Sequence, residues 1–405
     1  MNILILSSKF PYPLKDGGAI ATYNLARGLA DAGNKISILS FNTVKHYISK
    51  DKIPANKFED ITYEMVDVNT QIRFFKALVN LIFTRKPYIL QRFKSQIFAN
   101  RLTDILQQNK FDIVQIEGLY MMQYQKIIKT KSKAIISYRP HNLEHRIWLL
   151  LAENSSGFFK KTYLNILSQR ILNYEKSILN TYDIILPISP HDASYFEKLR
   201  NSRNLAVVPT GFNINVYHFE TKSVLEHKLF YIGSLEWMPN QEGIKWFINK
   251  CWDKLKLNFP ALELYIAGRN TPEWLVKEYS RPGIFWAGEV EDVKEFVKDK
   301  SIMIVPLFSG SGLRIKIIEA FLNLKAVVAT PVAVEGTGAA DNCELLIADG
   351  HVEFVSKIKY LIQNEKVFQN IIKSSFDFAI ENFDNYKISG DISKIYNQMH
   401  SAKNS

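Results

Sequence analysis

The chain has 405 residues, 47% of them hydrophobic and 22% charged, with 18 glycines and 14 prolines. That is too long for one ordinary core and unlike a fibrous or disordered chain, so two domains are the economical reading. Its two cysteines, Cys251 and Cys343, form no C-x-x-C pair and neighbour no histidine cluster, which argues against a disulfide framework or cysteine zinc site and fits a reducing compartment. The net charge of +11 belongs to the first half, where residues 1–200 hold 28 Lys+Arg against 16 Asp+Glu, while residues 201–405 hold 23 against 24. A basic surface of this kind attracts nucleic acid or anionic lipid, or reflects a generally basic proteome.

The opening MNILILSSKF has no basic stretch before its short apolar run and reads as a first strand rather than a leader peptide. No run approaches the length of a membrane span, so a cytoplasmic protein is expected, with peripheral association to the inner face of the membrane left open. From NILILS the chain alternates between apolar strand-like runs and helical stretches: a helix from about Gly18 to Ala32, then KISILS. This rhythm predicts a parallel sheet. DIVQIE, KAIISY, YDIILP and LAVVP, at residues 112–117, 133–138, 182–187 and 205–209, are further predicted strands. They complete a doubly wound domain over residues 1–210.

A polar linker is expected near residues 210–226, after VVPTGFN. KLFYIG, LELYIAG, IFWAGE, SIMIVP and AVVAT then predict a second α/β domain over residues 226–383, and residues 384–405 are assigned to a C-terminal helix packing back on the first domain. The expected fold is therefore two Rossmann-like, doubly wound domains facing each other across a cleft. Ligands of open α/β sheets bind outside the carboxyl ends of the strands, which makes that cleft the place for a site.

SSKFPYPLKDGGAI puts Gly17 and Gly18 between the first strand and its helix, where small residues admit a ligand to backbone N–H groups and the positive helix end, although an ordinary turn uses the same pair. FSGSGLRIKIIEAF places Gly310 and Gly312 ahead of a helix carrying Arg314, Lys316 and Glu319. A glycine loop, a helix N-terminus and two cations suit a diphosphate, and Glu319, three residues beyond Lys316, can reach a neighbouring group such as ribose hydroxyls. A solvated helix with an ordinary Lys/Glu pair is the bland alternative. HNLEH, from His141 to His145, matches the inverted zinc-peptidase pattern H-x-x-E-H. Pro140 and a strand end precede it, so a structural role or a polar site for sugar or phosphate competes with metal binding. No D-x-D, G-x-S-x-G or Walker loop occurs. Any diphosphate must be neutralised by protein cations, with no metal and no cofactor expected.

The GG loop, HNLEHRIW, VVPTGFN, YIGSLEWMPNQEG, LYIAGR, GEVEDV, VPLFSGSGLRIKIIEAF and ATPVAVEG follow one another as in the retaining GT-B glycosyltransferases of family 4, which the chain resembles along nearly its whole length. The resemblance implies transfer of a sugar from a nucleotide-sugar donor to a glycan or lipid-linked acceptor with retention of configuration, in cell-surface polysaccharide synthesis. It implies that Arg314 and Lys316 hold the diphosphate, Glu319 the ribose, and that Gly312 and Leu313 offer backbone N–H groups. His141 matches the histidine near the transferred sugar, Gly17 and Gly18 the loop facing the phosphates, and Gly233 the first phosphate-side loop of the second domain. Two departures stand out: Ser311 occupies the place of a common second glutamate, and Leu324 the place of a common glycine. A GT-B-like sugar-nucleotide epimerase, recognisable by turnover without acceptor, and a catalytically silent sugar-nucleotide-binding scaffold, suggested by Ser311, are the competing readings. Nucleic-acid binding lacks any RNP-like or zinc-finger motif.

Overall fold

The structure, a computed structural model, describes residues 1–155, 157–200, 204–219, 228–310 and 312–404, without the side chains of Phe74, Arg200 and Asn404. Ser311 and residues 220–226 of the expected linker lie outside the described residues. The chain forms two compact units, one of Met1–Asn213, Ser311–Leu313 and Asn385–Ser405, the other of Ile214–Gly310 and Arg314–Asp384.

In the first unit β1 (Asn2–Ser7), β2 (Lys35–Thr43), β3 (Ile61–Val68), β4 (Ile113–Glu117), β5 (Ile135–Arg139) and β6 (Ile184–Ile185) form one parallel sheet in the order β3-β2-β1-β4-β5-β6. The central strands read as continuous apolar runs because helices cover both faces. Leu4, Leu6, Val114 and Ile116 pack in one core and Ile3, Ile5, Ile113 and Ile135 in the other. β3 was not foreseen, since ITYEMVDV carries acidic residues at an edge where one face is half wet. LAVVP forms no strand, against the expectation. Leu205 makes a single bridge to Ile185, and Pro187 and Pro209 supply no N–H for a longer ladder.

The helices of this unit that matter for function are α1 (Gly17–Asp31), α2 (Phe74–Phe83), α3 (Glu144–Glu153) and α4 (Phe158–Ile178). The side chain of Asp16 caps α1 by accepting from Ala19 N at 3.0 Å, which satisfies one of the orphan donors of the first turn.

In the second unit β7 (Lys228–Ile232), β8 (Glu263–Ala267), β9 (Ile284–Gly288), β10 (Ile302–Val305), β11 (Ala326–Ala329) and β12 (Leu346–Ile347) pair in the order β12-β11-β10-β7-β8-β9. This is the same winding as the first sheet. In each, the strand order reverses beside the unit's first strand, between β1 and β4 and between β7 and β10. Such a switch point opens a crevice at the carboxyl ends of the strands.

Helix α5 (Ile315–Leu322) follows β10 and ends in a Schellman turn: Lys325 N donates to Ala320 O at 2.9 Å and Leu324 N to Phe321 O at 3.0 Å. Leu324 holds the left-handed position of that turn, with φ of 58°. The leucine therefore keeps the geometry that glycine usually supplies, at a backbone cost of about 1–2 kcal/mol.

The last helix, α6 (Asn385–Asn404), belongs to the first unit and lies along α1. A Cβ on Gly28 would stand 2.0 Å from Ser389 Oγ, so the glycine admits the helix. Asn34 Nδ2 donates to Ser393 Oγ at 2.9 Å, and the buried Tyr396 hydroxyl meets Gln115 Oε1 on β4 and, at 2.8 Å, Ser137 Oγ on β5.

Candidate active site

The second unit's switch point gathers Gly233, Arg314, Lys316 and Glu319. Gly233 follows β7, and a Cβ there would sit 3.2 Å from Lys316 Nζ and 3.0 Å from the Tyr231 hydroxyl. Lys316 Nζ donates to Tyr231 Oη at 3.2 Å and to Ile232 O at 3.4 Å, lying 4.4 Å from the centre of the Tyr231 ring. Among the described residues no carboxylate forms an ion pair with it. Burial, and then the charge of Arg314, push its pKa down to about 7.

Arg314 is the residue before α5, with φ −84° and ψ 81°. It stands outside the regular helix, as it must if it is to share one anion with Lys316, because an ideal helix sets residues two apart about 200° around its axis. Its guanidinium lies against the glycine loop: a Cβ on Gly310, whose φ is 141°, would approach Nη2 to 2.6 Å. The Ser309 hydroxyl beside it is buried and has no hydrogen-bond partner among the described residues. Burial raises Glu319, one helical turn beyond Lys316, to about 7. Two cations, an unpartnered hydroxyl and a carboxyl one turn away suit a diphosphate joined to a sugar.

The first unit's switch point holds His141. Parallel register aligns Ser7 with Glu117 and Glu117 with Arg139 at the ends of β1, β4 and β5. Glu117 Oε2 accepts from Arg139 Nη1 at 3.2 Å and from His141 Nε2 at 2.6 Å, while its Oε1 accepts from Gln115 Nε2 at 2.8 Å. Burial would raise this carboxyl, but Arg139, His141 and Gln115 outweigh it and hold it at about 2. An ionised carboxylate only accepts. His141 Nε2 is therefore the donor in this contact, which fixes the ring against the end of β4.

Gly17 and Gly18 form the first turn of α1, the helix expected from about Gly18, and neither has a positive φ. Asp16 caps that end by accepting from Ala19 N and pairs with Lys9. HNLEH lies at the start of α3, not within a helix, and its side chains have separate partners: His141 with Glu117, Glu144 with the Tyr120 hydroxyl at 2.7 Å, and His145 Nδ1 with Glu175 at 2.5 Å. No three His, Cys, Asp or Glu residues among the described residues are placed to hold a metal ion. Gly312 has a φ of 79° and Leu313 is buried. Glu117, Arg139 and Tyr231 were missed from sequence. The available signal was a charge ending each of two neighbouring apolar runs, IVQIE and IISYR.

Two family models match the chain, Glycosyltransferase Family 4 over residues 15–216 and Glycosyl transferases group 1 over residues 226–364. An uncharacterised 44.6 kDa protein in the cps region of Klebsiella pneumoniae is 23% identical, covering 97% of this chain and 99% of the relative. Among solved structures, Anabaena HepE in complex with UDP is similar with a TM-score of 0.69 and 13% identity, over 98% of this chain and 100% of that one. Sucrose-phosphate synthase from Thermosynechococcus elongatus reaches a TM-score of 0.74 at 14% identity, over 99% of this chain and 100% of that one. With both halves matched and two sheets wound in this way, the chain belongs to the group 1, family 4 type of GT-B glycosyltransferases.

Proposed function

We propose that this glycosyltransferase moves a hexose from a nucleoside-diphosphate sugar to a glycan or lipid-linked acceptor with retention of configuration, in cell-surface polysaccharide synthesis and at the inner face of the membrane. The observation that carries the reading is Arg314 against the Gly310 loop and Lys316 against Gly233, with Glu319 one turn on. The bond between the sugar's anomeric carbon and the phosphate oxygen breaks as the acceptor oxygen bonds to that carbon on the same face. The acceptor's hydroxyl proton passes to the departing phosphate. Negative charge grows on the diphosphate during this step, and fixed cations favour it there more than in the bound substrate. His141, anchored by Glu117, would contact the transferred sugar. HepE, solved with UDP and with UDP-glucose, and the cps-region relative support a nucleotide-sugar donor and a polysaccharide product.

A thermal-shift panel of UDP-, GDP-, ADP- and CMP-sugars in excess EDTA tests the donor site. One class should raise the melting temperature without metal, since a ligand at 100 times its Kd adds about 2.7 kcal/mol. Stabilisation only after manganese or magnesium is restored would overturn the reliance on protein cations.

Binding should also be coupled to protons. Burial and Arg314 push Lys316 down to about 7, so at pH 8 it is mostly neutral, and a diphosphate beside it draws a proton on. Glu319, also near 7, is already largely ionised there. Calorimetry of nucleotide-sugar binding in buffers of different ionisation enthalpy should show uptake approaching one proton at pH 8, lost in Lys316→Ala. Equal uptake by that variant would place the anion elsewhere.

A further inference from the structure

An amphipathic helix on a protein surface ordinarily turns its apolar stripe toward the core. Helix α2 turns it outward. Phe75, Leu78, Val79, Ile82 and Phe83 recur at the three- and four-residue spacing of one helix face, and that face meets solvent: Phe75 is 80% exposed, Ile82 65% and Phe83 78%. The opposite face is the packed one. Ala77, Asn80 and Leu81 line one cavity with Tyr163, Ile166, Leu167 and Arg170 of α4, and Arg170 Nη2 donates to Leu81 O at 2.8 Å.

The start of α4 extends the same surface. Phe159, 88% exposed, lies one turn before Tyr163 on the stripe that faces α2, and its neighbour Phe158 is 78% exposed. Around these rings stand the exposed cations Arg73, Lys76, Arg85, Lys86, Lys160 and Lys161. No acidic residue occurs between Asp67 and Asp104, or between Glu153 and Glu175. The aromatics of residues 71–110 thus divide. Phe98 is buried and Phe93 stacks on Tyr120 at 4.8 Å, whereas Phe75 and Phe83 face outward. Among the described residues no helix is long and apolar enough to cross a membrane.

We propose that the outer face of α2 and the start of α4 together form a docking surface for an anionic phospholipid bilayer, the rings entering the headgroup boundary and the cations meeting lipid phosphates. Apolar side chains and cations on one surface, with acidic residues excluded from both segments, match that partner in both hydrophobicity and charge. The inference deepens the inner-membrane placement proposed above and rests on it. It does not rest on Arg314, Lys316 and Glu319, which lie in the other unit.

The test is flotation of the full chain with vesicles of phosphatidylglycerol and phosphatidylethanolamine, or of phosphatidylcholine alone, at low and high salt. The wild type should float with the anionic vesicles at low salt and be largely released near 1 M salt, where the Debye length falls to about 3 Å. Phe158→Ser with Phe159→Ser, and separately Lys160→Glu with Lys161→Glu, should lower vesicle binding at least about tenfold. Each variant's melting temperature and nucleotide-sugar thermal shift should remain at the wild-type value. Equal flotation with neutral vesicles, or wild-type binding by both variants, overturns the proposal. So does lipid-free self-association abolished by the same substitutions, which would assign the face to a second copy. Loss of the nucleotide response with flotation intact would instead count against the donor-site reading.

Discussion

Replacing Lys316 or Arg314 by alanine is expected to lower turnover by about 10²-fold or more, the scale seen when one prepositioned electrostatic contact to a developing anion is removed. The reason is where charge grows. Both cations lie at the second unit's switch point, and Lys316, held at about 7 by burial and by Arg314, has no carboxylate ion pair among the described residues. A diphosphate leaving group resolves that frustration most fully once the sugar has departed, so kcat should fall more than acceptor KM rises. Glu319→Ala should differ, weakening donor binding with kcat nearly kept, because a ribose contact changes little along the reaction. Steady-state kinetics with donor and acceptor varied separately distinguish the two patterns. Folded Arg314→Ala and Lys316→Ala proteins with near wild-type turnover would remove the donor site from this loop.

A second large effect is expected at Glu117, this time on stability. Glu117→Gln keeps the shape but leaves the buried Arg139 guanidinium without its countercharge. Breaking one side of a buried pair costs about 3 kcal/mol or more, or roughly 6–12 °C in the melting of a unit of about 240 residues. Glu117→Gln combined with Arg139→Met should recover much of the loss, since removing both charges removes the desolvation cost of each. The single variant also replaces the charged acceptor at His141 Nε2 by a neutral amide, so turnover should fall in both proteins even where stability returns. A Glu117→Gln protein melting within 1 °C of wild type would show that the carboxyl is not the ionised anchor described.

Much of the architecture was legible because both sheets are parallel and buried, which makes their central strands short apolar runs that stand out from helical periodicity. NILILS, DIVQIE and SIMIVP became β1, β4 and β10 for that reason. Edges were harder. ITYEMVDV mixes charge into a strand with one wet face, and LAVVP is apolar enough for a strand but ends in a proline that cannot extend a ladder. The glycine loop and its two cations could be read because they lie within a few residues of one another. The Glu117, Arg139 and His141 cluster could not, because strand register, not sequence spacing, brings those side chains together. Helix α2 shows the converse limit. Its periodicity is plain in FFKALVNLIF, but periodicity alone does not say which way the stripe turns.

The return of α6 to the first sheet also orders events during synthesis. Gln115 and Ser137 find their buried partner only when Tyr396 arrives, and Asn34 waits for Ser393. The ribosome adds about 5–20 residues per second, so the first unit spends roughly ten seconds or more with that face of its sheet uncovered. Over the same interval the second unit, whose described strands lie between Lys228 and Ile347, emerges. The half of the protein made first is thus finished last, its β4 and β5 surface covered only when Tyr396 is in place.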